Sequence, residues 1–429
     1  MKKHTWRRKF FSILALALAL GLMACAAAEG VEVVANPDSK TGYTATFTYV
    51  DDDAQSVQLR GGFNFYKAND IYVLSGEAVG AESGTIPEDS IYTPETWEPG
   101  MAHINDSGYT VDMAKGEDGV WTVSLDLPSA SYLYQYIVTD AEGNEAEVTD
   151  PANVPAVNAM GASQARSQFF VPYDAEKQAE SDDWTFLMPI EDEGARGTLE
   201  WLEIEGMAFE GSDTNLQQMM VYLPAGYDAG REEPYKVLYI SHGGGGEEGD
   251  WFHQGNIHNI TDRLVAAGSC EPFIIVSIDK SKGTDEEVTQ NLVEYTIPYM
   301  EANYNVSTEP EGRALAGLSA GGKLAYVAYV YESDTFGYFA MFSSAYPVDG
   351  YDINSAVALG EPSLYLGCGY ADTRIALPTQ EGRMPMAPFC LYLDNIGVDY
   401  TGLVLVDGAH DWFVWPQLFE DFVLTTLWK

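Results

Sequence analysis

Gly317-Leu318-Ser319-Ala320-Gly321 sets a serine between two glycines at the spacing of a nucleophile elbow. The apolar run Arg313-Ala314-Leu315-Ala316 precedes it, and Gly322 to Tyr329 reads as a helix behind it. Strand, sharp turn and helix therefore come in the order that pushes a serine Oγ out of a sheet, and glycine neighbours suit the strained backbone of such a turn. The pattern needs that context, because 41 glycines in 429 residues make a chance match easy. The chemistry would be nucleophilic attack by Ser319, which requires a base to take its proton and an acid to orient the base.

Chain order selects the base. Where a nucleophile elbow starts an α/β-hydrolase triad, the acid and then the histidine follow it. Of six histidines only His410 lies beyond Ser319. Gly402 to Val406 reads as a strand, and Asp407-Gly408-Ala409-His410 as the loop leaving it. Ten carboxylates separate Ser319 from His410. Asp372 is favoured, since Pro362 to Cys368 reads as a strand and Gly369-Tyr370-Ala371-Asp372 as the loop at its end. Asp394 falls in a predicted helix, and Asp407 shares the tight loop of His410. A tetrahedral oxyanion also needs two donors: the backbone N–H of Ala320 and one from His242-Gly243-Gly244-Gly245-Gly246, with Gly244 preferred. A phosphate-cradling loop is the competing reading of those glycines, but no Gly-Lys-Ser/Thr ending follows them.

These residues must be carried by strands that alternate with helices. Val237-Leu238-Tyr239-Ile240-Ser241 and Phe273 to Ile278 are continuous apolar runs of the buried-strand type, with helical segments between and after them. The expected fold is α/β: an α/β-hydrolase catalytic domain over residues 196–429. Ahead of it, residues 42–172 show short alternating segments such as Thr44 to Tyr49 and Val120 to Leu125, the pattern of a small all-β sandwich. Residues 173–195 form an acidic linker, and residues 25–41 an N-terminal tether.

Lys2, Lys3, Arg7, Arg8 and Lys9 precede the apolar run Phe10 to Ala24, which marks residues 1–24 as an export signal. Leu22-Met23-Ala24-Cys25 resembles a lipobox, so Cys25 is the expected lipidation site, with ordinary secretion after cleavage near Ala26 to Ala28 as the alternative. The chain is then exported and lipid-anchored at the bacterial cell surface, its only membrane contact the anchor. Without the five basic residues of the signal, 17 Lys and Arg face 65 Asp and Glu, a formal charge of −48. Such a surface repels nucleic acid, so no nucleic acid partner is expected. Cys270, Cys368 and Cys390 are an odd set that favours free thiols, and His242, His253 and His258 have no metal-ligand spacing. No metal and no cofactor is expected.

Several separated motifs resemble one family. His242 to Trp251, Ile297 to Tyr304, Gly317 to Gly322 and Gly408-Ala409-His410-Asp411-Trp412 are similar to the feruloyl and acetyl-xylan esterases of the esterase D-like group, the carbohydrate esterase family 1 type. The β-domain, through Gly119-Val120-Trp121 and Thr149 to Asn153, resembles the glycogen-branching-enzyme type of carbohydrate-binding module. The resemblance implies a serine carboxylic ester hydrolase that removes feruloyl or acetyl groups from an esterified plant polysaccharide, xylan, through an acyl-enzyme. Ser319, Asp372 and His410 match that family's triad. Ala320, Lys280-Ser281-Lys282 and Thr373 to Pro388 depart from its pattern around the pocket. Trp251 and Trp412 are the substrate-binding candidates, with Trp97 and Trp121 in the β-domain; core burial is the competing reading for each. Two other functions compete with this one: an esterase for siderophores or other small esters, and a non-catalytic glycan-binding lipoprotein.

Overall fold

The structure, a computed structural model, describes residues 30–67, 88–104, 108–154, 166–209, 214–347, 351, 353, 362–376 and 382–429. The expected export signal and the expected lipidation site Cys25 lie outside the described residues.

The N-terminal part is a β-sandwich. One sheet runs β1 (Gly30–Ala35), β2 (Tyr43–Val50), β8 (Val120–Asp126), β7 (Ala114–Lys115). The other runs β10 (Glu145–Val148), β9 (Ala130–Thr139), β3 (Ser56–Gly61), β6 (Tyr109–Asp112), with β11 (Ser167–Val171) also on β9. The short pair β4 (Asn64–Tyr66) and β5 (Ala102–Ile104) lies beside them. Phe47, Phe63, Tyr132, Tyr134 and Phe169 fill the interior with tilted, stacked and edge-on ring contacts. Two expectations are corrected here. Part of the tether is a strand, since Gly30–Ala35 pairs antiparallel with β2. Trp97 and Trp121 are enclosed at 1% and 5% exposure, so neither offers a face to a sugar ring.

The stretch expected as a linker is anchored at intervals. Asp182 accepts from the N–H groups of Gly100 and Ala179. Gln178 donates to the Thr41 carbonyl and accepts from the Ser129 N–H. Trp184 and Leu187 are buried between the two halves of the molecule.

The C-terminal part is an eight-stranded sheet in the order β12 (Thr198–Glu205), β13 (Leu216–Leu223), β15 (Ile274–Ile278), β14 (Val237–Ser241), β16 (Arg313–Leu318), β17 (Tyr338–Phe342), β19 (Ser363–Gly369), β21 (Leu403–Val406). The first two strands are antiparallel and the rest parallel, with a two-stranded ribbon of β18 (Ala345–Tyr346) and β20 (Met384–Pro385) beside them. Side chains alternate across the sheet. Leu238, Ile240, Ala314 and Ala316 face α2 (Ile257–Ala266) and α7 (Trp415–Thr425). Val237, Tyr239 and Leu315 face α4 (Ile297–Asn303), α5 (Ala320–Tyr331) and α6 (Met386–Ile396), with α3 (Asp285–Asn291) beside α5. The short α1 (Asp250–His253) precedes α2. The first of these two interiors runs without a break through Trp184 and Phe413 into the β-sandwich.

Candidate active site

Parallel strands deliver the site residues to one edge of the sheet, because each loop that leaves a strand's C-terminal end opens on the same side. Ser319 follows β16, Asp372 follows β19 and His410 follows β21. Ser319 has φ 49° and ψ −111°, a strained backbone for a residue with a Cβ. Glycine is needed on both sides of it. A Cβ at Gly317 would sit 2.3 Å from the Gly321 backbone, and one at Gly321 would sit 2.4 Å from the carbonyl oxygens of Ser241 and His242. The turn is also tied to β17, since Ser319 N–H donates to the Phe342 carbonyl at 2.8 Å and the Ser344 hydroxyl to the Ser319 carbonyl at 2.7 Å.

The three residues meet. His410 Nε2 lies 3.0 Å from Ser319 Oγ, and His410 Nδ1 lies 2.8 Å from Asp372 Oδ2. Asp372 is fully buried, and its Oδ1 accepts the Arg374 N–H at 2.7 Å. Burial by itself would raise the Asp372 carboxyl. The His410 ring, the Arg374 N–H and the Ser343 hydroxyl outweigh it and hold the carboxyl below the ordinary carboxylate range. That places an anion against Nδ1, which selects the Nδ1–H tautomer and leaves Nε2 free to accept from the serine. Trp415 meets the imidazole edge-on at 5.3 Å. Beside this pair, burial pushes the Asp411 carboxyl up to about 6, against the opposing effect of the Phe413 N–H. The other two acid candidates stand apart: Asp394 is on α6 and Asp407 is exposed.

The glycine loop follows β14, beside the elbow. Ala320 opens α5, where a backbone N–H has no carbonyl one turn earlier to pair with. His242 is buried, and the Lys280 N–H donates to its Nε2 at 3.0 Å. Its Nδ1–H is then left to donate to the Gly243 carbonyl at 2.7 Å. In a trans peptide the C=O and N–H point opposite ways, so fixing the Gly243 carbonyl on the imidazole aims the Gly244 N–H away from it. A Cβ on Gly243 would lie 3.4 Å from Ser319 Cβ, which puts this peptide at the elbow. The turn Lys280-Ser281-Lys282 thus supports the loop through a backbone N–H.

The two tryptophan candidates separate. Trp251 is fully enclosed and donates its indole N–H to the Ser241 carbonyl at 3.0 Å, beneath the glycine loop. Its expected contact with substrate is corrected, since packing between Trp412, Phe342 and Phe419 leaves no open face. Trp412 is partly exposed and, with Gln254 and Phe413, lines a narrow gap walled by Gly62, Ser131 and Leu133 of the β-sandwich. Sequence reasoning missed the residues that hold these pieces. Nothing in the sequence around His242 signals its hold on the Gly243 carbonyl, and Ser344 carries no signal beyond its place after an apolar strand.

Cys270, Cys368 and Cys390 are free thiols. Among the described residues no three His, Cys, Asp or Glu side chains are grouped to hold a metal ion. No helix among them is long and apolar enough to cross a membrane.

Residues 215–365 match the model of the esterase family described as "Putative esterase". An endo-1,4-beta-xylanase/feruloyl esterase of Xylanibacter ruminicola is 26% identical over 322 residues, 72% of this chain; the chain spans only 40% of that relative's length. The 1,4-alpha-glucan branching enzyme GlgB of Lactobacillus acidophilus is 33% identical over 70 residues, 15% of this chain and 11% of that protein. Among solved structures, a ferulic acid esterase of the anaerobic fungus Anaeromyces mucronatus is similar with a TM-score of 0.47 and 24% identity, covering 57% of this chain and 95% of that one.

Proposed function

We propose, from the match of residues 215–365 to the esterase family, that this chain is a serine esterase whose nucleophile, base and acid are Ser319, His410 and Asp372. The observation that carries the reading is the line of contacts from Ser319 Oγ to His410 Nε2 at 3.0 Å and from His410 Nδ1 to Asp372 at 2.8 Å. His410 takes the proton of Ser319 as Oγ attacks the ester carbonyl carbon. The oxyanion is met by the N–H groups of Ala320 and Gly244, each such donor being worth about 3 kcal/mol in related chemistry. His410 then protonates the departing alcohol, leaving an acyl-serine. Water attacks that ester, its proton goes to His410, and Ser319 is regenerated with release of the carboxylic acid.

The substrate in this reading is a feruloyl or acetyl ester on a plant cell-wall polysaccharide, reached from an exported enzyme anchored through Cys25. Trp412, which lines the gap against the β-sandwich and is partly exposed, is the candidate in this reading for stacking on a sugar or phenolic ring. The test is hydrolysis of p-nitrophenyl acetate and methyl ferulate by the wild type and by Ser319→Ala, followed by acid release from acetylated and feruloylated xylo-oligosaccharides. Loss of turnover in Ser319→Ala is expected. Equal turnover in the two proteins would overturn the reading, and activity confined to small esters would overturn its polysaccharide part.

A further inference from the structure

Two lysines from different loops of the site share one buried carboxylate. Asp285, the first residue of α3, has a side chain only 8% exposed; Lys280 Nζ lies 3.5 Å from its Oδ1 and Lys323 Nζ 2.5 Å from its Oδ2. The lysine side chains are themselves mostly enclosed, at 13% and 21% exposure. Such contacts differ from the weak ion pairs of an open surface, because withdrawing one partner leaves a charge that water reaches only in part. The neighbouring carboxylates are engaged elsewhere. Asp279 accepts from the Ser281 N–H and hydroxyl, Glu286 from the Tyr351 hydroxyl and Glu287 from the Thr284 N–H.

The backbones of the same two lysines end on the frame of the oxyanion hole. Lys280 N–H donates to His242 Nε2 at 3.0 Å, and the other nitrogen of that ring holds the Gly243 carbonyl at 2.7 Å, which aims the Gly244 N–H. Lys323 N–H donates to the Ser319 carbonyl at 3.1 Å and so closes the first turn of α5, the turn that presents the Ala320 N–H. Each lysine therefore has its N–H on the support of one oxyanion donor and its ammonium on Asp285.

We propose that Asp285 is a positioning residue for the ester hydrolysis argued above: by holding Lys280 and Lys323 together it fixes the spacing between the Gly244 and Ala320 N–H groups. Lys280 belongs to the loop after β15 and Lys323 to the helix after β16, so the carboxylate ties two elements that reach the site separately. Spacing matters because oxyanion donors act by being in place before charge develops, and a displaced donor weakens the transition state more than the bound ester. With Asp285 neutral, the two ammonium groups would face one another and push the supports apart. The inference rests on the esterase reading.

The experiment measures hydrolysis of p-nitrophenyl acetate, inhibition by phenylboronic acid and thermal unfolding. It compares the wild type, Asp285→Asn, Lys280→Met, Lys323→Met, the variant with both lysine changes, and Ser319→Ala. Phenylboronic acid takes Ser319 Oγ onto boron as a tetrahedral adduct, so its affinity reads the oxyanion hole without turnover. For Asp285→Asn a fall in kcat of about tenfold, an unchanged KM and an equal weakening of boronate inhibition are expected, less than the loss of about 10²- to 10³-fold when a whole donor is removed. The lysine variants read the same quantities should Asp285→Asn fail to fold. Together they should lose less than the product of the single losses, since both act through one carboxylate. Wild-type kcat and boronate affinity in the folded variants would overturn the inference, whatever the change in Tm. So would a lowered kcat with unchanged boronate affinity, which would put the fault outside the oxyanion hole, and so would strictly multiplicative lysine losses. Turnover that survives in Ser319→Ala would overturn the esterase reading instead.

Discussion

The imidazole of His103, in the β-sandwich, lies flat on the ring of Phe413, three residues beyond His410, with centroids 4.4 Å apart and planes at 14°. Trp184 closes on the same ring edge-on at 5.2 Å. The loop that carries the proposed base is therefore walled by two stretches of chain more than 200 residues earlier in the sequence. A sequence reading that treats the β-sandwich as a separate attachment has no access to this contact.

Burial pushes the His103 ring down to about 3. A histidine held neutral in the fold, against an ordinary value of 6.5, contributes stability that is complete above about pH 6.5 and is lost as pH falls toward 3, because only the unfolded chain takes up the proton. The loss is about 1.4 kcal/mol per pH unit for one such group. His253 and His258 are lowered by burial as well and add in the same direction. In His103→Phe, which keeps the stack, the fall of Tm between pH 7 and 5 should be shallower than in the wild type. An identical slope in both would refute the assignment.

Asp372→Asn keeps the shape of the acid but turns an acceptor toward a donor or fixes the wrong imidazole tautomer. In a Ser-His-Asp relay that costs about 10⁴ in kcat. Asp407→Asn and Asp394→Asn should stay within about twofold, since surface substitutions away from the chemistry act weakly. Steady-state kinetics on an aryl ester checks all three, and an Asp372→Asn enzyme within tenfold of wild type would remove Asp372 from the relay.

Gly321→Ala forces a methyl to within 2.4 Å of two carbonyl oxygens and cannot be absorbed by a flexible neighbour. A destabilisation above about 3 kcal/mol in urea unfolding, or failure to fold, is the expected result. At Gly244 the nearest atom to an added Cβ is Ala320 Cβ at 4.0 Å, so Gly244→Ala should fold normally and retain its donor N–H.

Trp251 and Trp412 touch one another edge-on at 5.3 Å but should fail differently. Trp251→Ala removes a fully buried ring and should cost about 3–5 kcal/mol of stability. Trp412→Ala should leave kcat on p-nitrophenyl acetate near wild type and raise KM for feruloylated oligosaccharides. A raised KM in a stable Trp251→Phe would reverse the two roles.

Chain order and local pattern carried much of the site. Ser319, Asp372 and His410 each follow an apolar strand, so their places could be read one element at a time. What escaped depends on neighbours distant in sequence. Trp251, Trp97 and Trp121 are long apolar side chains whose exposure is set by packing and not by spacing. The strand Gly30–Ala35 is hidden by its closeness to the expected export signal, although Val31 and Val33 alternate with Glu32 and pack on the core. Residues 173–195 have the acidity of a solvated linker, and their few anchors, Gln178, Asp182, Trp184 and Leu187, are too sparse to make a period. The backbone of Ser343 has no signature at all, because a positive φ in a serine is imposed by the strands around it.

The unbroken interior that joins the sandwich to one face of the catalytic sheet sets how the molecule comes apart. Side chains such as Phe413 and Trp184 sit where the two halves meet, so the sandwich shares its inside with one face of the catalytic sheet. Melting should then be a single cooperative event, with calorimetric and van't Hoff enthalpies in agreement, instead of two transitions in series. A fragment beginning at Thr198 would present the Phe413 face to water as a bare apolar surface, and it would be expected to aggregate before it could be assayed.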